Sequence, residues 1–146
     1  MQIKTSLSIY LIIILSIIGG IWNAQYINDG YHWGFIFSNS IEFLNGKKPF
    51  EEIFIEYGFL HILINSFIIS IFGESVFLLQ IFTILIYSLS FFYISRIIFF
   101  YTKNDLLTLI AIVLIFCIYP WPTSPWPVYY AYFFSILFIF YAIKKD

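Results

Sequence analysis

The chain has 146 residues, of which 62% are hydrophobic and only 10% are charged, and its mean hydropathy is +0.93. A soluble domain of this size buries only about two-thirds of its surface, so this composition excludes an ordinary soluble protein. The net charge of -1 argues against nucleic-acid binding, which uses a basic surface. We expect an all-α polytopic membrane protein with about four spanning helices, and with juxtamembrane or re-entrant helices in its first external loop.

The first apolar run, residues 7–26, reaches the length of about 20 residues that a helix needs to cross the hydrocarbon core. It follows Lys4, and a cleaved signal peptide would show the same lysine and apolar stretch. No small-residue cleavage motif comes after it, only the sequence 23–25, Asn-Ala-Gln. The pattern therefore favours a retained helix, the first span.

An external loop is expected at 27–74, and its first half predicts a juxtamembrane helix at 31–45. Apolar residues recur there at helical spacing, while Asn39, Ser40 and Glu42 lie mostly away from them. The five apolar positions are Trp33, Ile36, Phe37, Ile41 and Leu44. An Asn-Gly pair at 45–46 is typical of a helix end, since both residues adopt the left-handed conformation at low cost.

The second half of the loop, 57–72, is apolar but short, and it could either span the membrane or lie in one leaflet. Positive residues favour the cytoplasmic side of the membrane, so the charges decide between the two arrangements. If 57–72 spans, most of the basic residues fall outside. If 57–72 does not span, five basic residues lie on the cytoplasmic side: Lys4, Arg96, Lys103, Lys144 and Lys145. The sequence therefore predicts a juxtamembrane or re-entrant helix at 57–72.

The rest of the chain completes a four-span arrangement with the N-terminus in the cytoplasm. A cytoplasmic turn at 102–105 and a proline-tryptophan element at 120–127 separate the last three spans, since proline does not fit a helix interior. These spans are 75–95, 106–119 and 128–143. We expect a single membrane domain over 1–146, either a small module or the N-terminal part of a larger enzyme.

Ionisable side chains are concentrated in the external loop, whereas the spans carry almost none. The loop holds Asp29, His32, Glu42, Lys47, Lys48, Glu51, Glu52, Glu56 and His61. Such a cluster of ionisable residues in a membrane protein indicates a functional site, although a loop outside the bilayer also carries charge simply because it is exposed to solvent. The order of the residues favours the functional interpretation.

Four stretches of the loop, 29–34, 45–54, 56–60 and 71–73, read DGYHWG, NGKKPFEEIF, EYGFL and IFG. Together they resemble the first external loop of the polytopic GT-C glycosyltransferases, in particular the bacterial Rgt-like and protein-mannosyltransferase-like group. The resemblance implies transfer of a sugar from a polyprenyl-phosphate donor, outside the bacterial cytoplasmic (inner) membrane. It also implies that the first acid of the loop, Asp29, is catalytic.

Three residues are candidates for catalysis. A carboxylate, Asp29, can remove the proton from an acceptor hydroxyl as the new bond forms, and His32 could orient it or contact the donor. The acid after the proline turn, Glu52, is the third candidate. Oxygen ligands from Asp29 and Glu52, with His32, suit Mg²⁺ or Mn²⁺, but nothing in the sequence demands a metal.

Four further residues are candidates for binding the donor: Lys47, Lys48, Tyr57 and His61. A phosphate leaving group needs a cation, which the lysines could supply. Each candidate also has a structural interpretation. Lys47 and Lys48 could meet lipid headgroups, the glutamates could form a solvated face, and His61 with Asn65, one turn apart on one face, could join helices.

The competing function is a non-catalytic membrane protein, such as an assembly subunit, a flippase-like component or a truncated remnant. A transporter is disfavoured because the spans offer almost no ionisable residues for an ion or substrate path. Membrane lipids are expected partners in either case, and the sequence leaves the oligomeric state open.

Overall fold

The computed structural model describes residues 7–26, 30–118 and 125–145, and within these ranges the chain folds into six α-helices and no strand. The helices are α1 (Leu7–Asn23), α2 (Gly30–Leu44), α3 (Phe59–Phe72), α4 (Val76–Thr102), α5 (Asp105–Ile118) and α6 (Pro127–Lys145). The expected all-α class is confirmed.

Local signals set the ends of the longest helix, α4. The Ser75 hydroxyl accepts a hydrogen bond from the Leu78 amide, which satisfies one of the free donors at the helix start. At the other end Lys103 takes a left-handed conformation, with φ of 52°. Asn104 follows, and its side chain accepts a hydrogen bond from the Leu106 amide at the start of α5. The chain therefore reverses direction between α4 and α5.

Helix α4 lies at the centre of the fold and packs against each of the other five helices. Helix α1 runs antiparallel to it, because Ser16 contacts Ser88 through a 2.9 Å hydrogen bond, while Gly20 lies against Ile84. Close approach of two helices requires small residues at the contact, and the Ser16–Gly20 spacing of four supplies them on one face of α1.

Helix α6 runs in the same direction as α4. Tyr87 packs edge-on against Tyr129 near the start of α6, and Tyr93, further along α4, packs against Phe140 near the end of α6. The end of α1, the start of α4 and the start of α6 consequently lie at the same end of the bundle.

Helices α2 and α3, with the segment 45–58 between them, form a layer across that end, here called the α2–α3 layer. The end of α3 packs on the start of α4 through Ile68, Ile69 and Leu79. Nearer its beginning, Asn65 of α3 hydrogen-bonds Tyr130 of α6. The layer therefore lies against both α4 and α6.

Length and composition allow α4 and α6 to cross a membrane, whereas α1, α3 and α5 are shorter apolar helices. Helix α4 continues beyond the expected end of the second span at Ser95, through Arg96, to Thr102. Arginine is a good helix former, and the Arg96 guanidinium lies 5.7 Å from the centre of the Phe92 ring, so its charge does not end the helix.

The expectation that Asn39 and Ser40 lie away from the packed face of α2 is wrong. Both are buried, with exposed fractions of 7% and 0%. The Asn39 amide donates to the Phe54 carbonyl, and the Ser66 hydroxyl donates to the Ser40 carbonyl. The Ser40 hydroxyl itself donates to the Ile36 carbonyl of α2. Because their polar groups have partners, both residues are buried on the side that apolar spacing alone assigned to solvent.

Candidate functional site

Three aromatic side chains from separate parts of the chain meet where the α2–α3 layer contacts the start of α6. His32 lies near the start of α2, Tyr57 lies just before α3, and Trp126 directly precedes α6. The Trp126 ring centre is 5.2 Å from that of His32 and 5.0 Å from that of Tyr57, and the His32 and Tyr57 ring centres are 6.5 Å apart. We call these residues the aromatic cluster.

The local backbone explains how the cluster is assembled. Gly58 has φ of 92°, a conformation that favours glycine, and it turns the chain from Tyr57 into α3. Trp126 stands between Pro125 and Pro127, whose rings fix φ and start α6 directly after the tryptophan.

A buried hydrogen-bond network lies beside the cluster and joins α3 to α6. His61 Nε2 is 2.7 Å from the Pro125 carbonyl oxygen and 2.9 Å from the Asn65 side-chain amide. The Tyr130 hydroxyl is 3.2 Å from the same amide and also hydrogen-bonds the Thr83 side chain of α4. Helices α3, α4 and α6 are thus connected through buried polar groups.

The network determines which His61 nitrogen carries hydrogen. The Pro125 carbonyl can only accept a hydrogen bond, so Nε2 must be the donor. Asn65 then has to present its side-chain oxygen to Nε2 and its nitrogen to Tyr130, the orientation reached by turning the amide through 180°. His61 therefore carries a hydrogen on Nε2.

Burial also disfavours the charged form of His61. Its side chain is only 4% exposed, and desolvation lowers its pKa from the ordinary 6.5 to about 4, against a smaller opposing effect of the bond to Pro125. At neutral pH the residue therefore acts as a hydrogen-bond donor in the interior and is not a cation that could neutralise a phosphate.

Two cavities border this region. An apolar cavity of about 580 Å³ lies between α4, α5 and α6, with Trp126 in its wall. Its other lining residues are Tyr87, Ile115, Ile118, Val128, Tyr129 and Tyr132. A smaller cavity of about 230 Å³ lies between the start of α3 and α6, lined by Tyr57, His61 and Tyr130 among others. Trp126 borders the first and Tyr57 the second, so the aromatic cluster stands between two largely apolar cavities.

The predicted lysines and Glu52 lie elsewhere, in the turn between α2 and α3. The Lys47 ammonium is 2.8 Å from the Glu42 carboxylate, and that of Lys48 is 3.3 Å from the Glu51 carboxylate. Glu52 accepts a 2.8 Å hydrogen bond from the backbone amide of Lys48. All three residues thus have partners within this part of the α2–α3 layer.

Of the seven site residues predicted from the sequence, the structure brings His32, Tyr57 and His61 to the region around residues 125–126. Asp29 lies outside the described residues. No group of three histidine, cysteine or carboxylate side chains within 7–26, 30–118 and 125–145 could hold a metal ion. The Mg²⁺ or Mn²⁺ site considered for Asp29, Glu52 and His32 includes a residue outside these ranges and stays a prediction, and we derive no step through a metal.

Sequence reasoning did not select Trp126 or Tyr130 for the site. Tryptophan and tyrosine next to an apolar run commonly lie in the aromatic band at the membrane interface, so their positions alone do not indicate a site. The proline on each side of Trp126 was the available signal, because it indicates a tryptophan held on a stiff backbone rather than a mobile anchor. No known protein family, curated protein or solved structure matches this chain.

Proposed function

We propose that the chain is a membrane glycosyltransferase module of the GT-C kind, which transfers a sugar from a polyprenyl-phosphate donor on the external side of the membrane. One observation carries the proposal. His32, Tyr57 and His61 were selected from the sequence as site residues, and all three lie around Pro125 and Trp126 although 64 residues separate His61 from Pro125.

The chemistry of the cluster suits a sugar attached to a lipid. Binding sites for small molecules are largely apolar and aromatic, with a few polar groups that set orientation. His32 and Tyr57 supply polar atoms beside the Trp126 ring, and the apolar cavity on which Trp126 borders can accept hydrocarbon. Asp29, the residue before Gly30, is proposed as the carboxylate that removes the proton of the acceptor hydroxyl.

We further propose that α1, α4, α5 and α6 all cross the membrane, with the α2–α3 layer outside and the N-terminus in the cytoplasm, most simply the cytoplasm of a bacterium. The distribution of charge between the two ends of the bundle supports this orientation. The layer and the start of α4 carry the exposed acids Glu51, Glu52, Glu56 and Glu74. The ends of α4 and α6 carry Arg96, Lys103 and Lys144, which the positive-inside rule assigns to the cytoplasm.

The test is a transfer assay with the full chain in lipid vesicles, supplied with polyprenyl-phosphate-linked hexoses and short glycan acceptors. Removing a general base typically lowers the rate by about 10²–10⁴-fold, so Asp29→Asn should reduce transfer by at least about 100-fold. Glu51→Gln is the matched control, because Glu51 is an exposed acid paired only with Lys48, and it should leave the rate unchanged. Equal transfer by the Asp29→Asn variant and the wild type would remove Asp29 from the mechanism.

A non-catalytic membrane component is the second candidate, favoured by the pairing of Lys47, Lys48 and Glu52 within their own turn. Groups that neutralise one another contribute stability and shape rather than phosphate binding. If this function holds, no lipid-linked sugar supports transfer by the wild-type chain, and the loop acids tolerate substitution.

A further inference from the structure

Helix α3 distributes its side chains in the opposite way from a helix on the surface of a soluble protein. Three of its four polar residues face the interior, and His61, Asn65 and Ser66 have exposed fractions of 4%, 0% and 2%. The fourth, Ser70, is exposed, and its hydroxyl donates a hydrogen bond to the Phe67 carbonyl of the same helix. Its outer side is a stripe of large apolar residues, here called the α3 stripe: Leu60, Leu63, Phe67 and Ile71, exposed by 62%, 37%, 66% and 56%. Contact of such a surface with water would be unfavourable, so another apolar medium must cover it.

The surroundings of the α3 stripe identify that medium. Leu60 of the stripe and Phe134 of α6 line the same cavity, so the stripe continues onto the outer surface of a helix that is apolar and long enough to cross a membrane. Phe138, one turn further along α6, is 75% exposed. The covering material must therefore extend over both helices, as a lipid leaflet does.

Charge and packing limit how α3 can lie in that leaflet. Between the exposed acids Glu56 and Glu74 the sequence has no lysine, arginine, aspartate or glutamate, so charged groups mark both ends of the helix. Both ends of α3 also lie at the same end of the bundle, because His61 near its beginning bonds Pro125 just before α6, while Ile68 and Ile69 near its end pack with Leu79 at the start of α4. Both acids therefore reach water most easily on the same side of the membrane.

We propose that α3 lies in the plane of the membrane, at the boundary between headgroups and hydrocarbon, with the α3 stripe inserted among the lipid acyl chains of the leaflet that contacts the α2–α3 layer. Helices in this position bury their apolar face about 5–10 Å into the leaflet. The inference depends on the proposed membrane placement of the bundle and not on any catalytic activity. It makes lipid the partner of α3 and excludes a second protein surface there.

Lipid contact at α3 also has a consequence for the candidate site. His61 on the inner side of α3 donates to the Pro125 carbonyl, and the next residue is Trp126 of the aromatic cluster. A helix held at the headgroup boundary therefore holds the aromatic cluster at the depth where the phosphate of a membrane lipid lies.

The experiment uses the full chain, carrying Cys117→Ser, in vesicles of phosphatidylcholine and phosphatidylglycerol. Single cysteines are introduced as Leu63→Cys and Phe67→Cys on the α3 stripe, with Glu74→Cys as the control, and each is labelled with a nitroxide. Spin relaxation by oxygen, which concentrates in hydrocarbon, is compared with relaxation by a water-soluble nickel chelate. Unchanged thermal unfolding confirms that each labelled variant is folded.

We expect labels on Leu63→Cys and Phe67→Cys to relax faster with oxygen than with nickel, and the label on Glu74→Cys to show the reverse. Faster relaxation with nickel at the α3 stripe would mean that it faces water, and exclusion of both reagents would mean that protein covers it. Either result overturns the proposal. The thiols of Glu56→Cys and Glu74→Cys can also be tested with an impermeant thiol reagent. Reaction of the two from opposite sides of the membrane would overturn the proposal, since α3 would then span. None of these readouts involves sugar transfer, so they separate this inference from the proposed activity.

Discussion

His61 joins the α2–α3 layer to the start of α6, and it does so as an uncharged imidazole. Its pKa of about 4 lies below the 6.5 of an unfolded chain, so between these values the unfolded chain binds a proton that the folded chain does not. The stabilising effect is complete above about pH 6.5 and is lost as the pH falls toward 4. A shift of this size corresponds to about 3 kcal/mol at most.

We therefore expect the melting temperature of the chain in detergent to fall more steeply between pH 6.5 and pH 4.5 than that of a His61→Gln variant. Glutamine does not titrate in this range, so the difference between the two curves isolates the imidazole from the carboxylates. Parallel curves for the two proteins would contradict the assignment of a neutral buried His61.

Phe50 illustrates strain at a single residue. Its φ of 67° lies in the left-handed region, which costs a residue with a side chain roughly 1–2 kcal/mol. Its side chain is 72% exposed, so little packing is lost on removing it. We expect Phe50→Gly to raise the free energy of unfolding by up to about 1 kcal/mol, measured by denaturant titration.

Phe54 is the matched control, because it is also 72% exposed but is not among the described residues with positive φ. Glycine there adds backbone freedom to the unfolded chain and removes the contact of the Phe54 ring with Phe35, so Phe54→Gly should destabilise the protein by at least about 0.5–1 kcal/mol. If both substitutions lowered the free energy of unfolding, the conformation of Phe50 would carry no strain.

The packing of α1 on α4 depends on the absence of a side chain at Gly20. A Cβ atom there would lie 2.7 Å from Cγ2 of Ile84, a branched atom near the backbone that cannot move aside easily. We expect Gly20→Ala to destabilise the protein by about 1–3 kcal/mol, because overpacking forces the two helices apart. The measurement is the unfolding midpoint in detergent.

Gly34 of α2 provides the comparison, since a Cβ atom at that position meets nothing within 4 Å. Alanine is a better helix former than glycine by about 1 kcal/mol, so Gly34→Ala should be neutral or stabilising. If Gly34→Ala destabilised the protein as much as Gly20→Ala, the cause would be a general intolerance of alanine and not the contact between position 20 and Ile84.

The sequence predicted the location of every described helix, because the signals that define them are local. Apolar runs, the Asn45–Gly46 end of α2 and the proline before α6 each act within a few residues. Which helix faces pack against one another was not predictable in the same way. Pro125 and Tyr130 are 64 and 65 residues from their partners in α3, and no periodic pattern encodes such a contact. The sequence therefore identified two residues of the aromatic cluster, His32 and Tyr57, and missed the third, Trp126.

At the scale of the whole molecule, the direction of the helices leads to a test of topology. The start of α4 and its end at Thr102 lie at opposite ends of a helix of 27 residues, about 40 Å long. In a Cys117→Ser background, Glu74→Cys and Lys103→Cys should react with an impermeant thiol reagent from opposite sides of intact cells or oriented vesicles. Reaction of both from the same side would rule out a spanning α4 and with it the four-span arrangement.

The bonds from α3 to residues 125 and 130 also impose an order on biosynthesis. A ribosome that has just completed α3 must add more than fifty further residues before Pro125 and Tyr130 exist to receive His61 and Asn65. Throughout that interval His61 and Asn65 lack their native partners Pro125 and Tyr130. A nascent chain stalled within α5 would therefore expose these two side chains to membrane proteases and chaperones, and only completion of α6 removes that vulnerability.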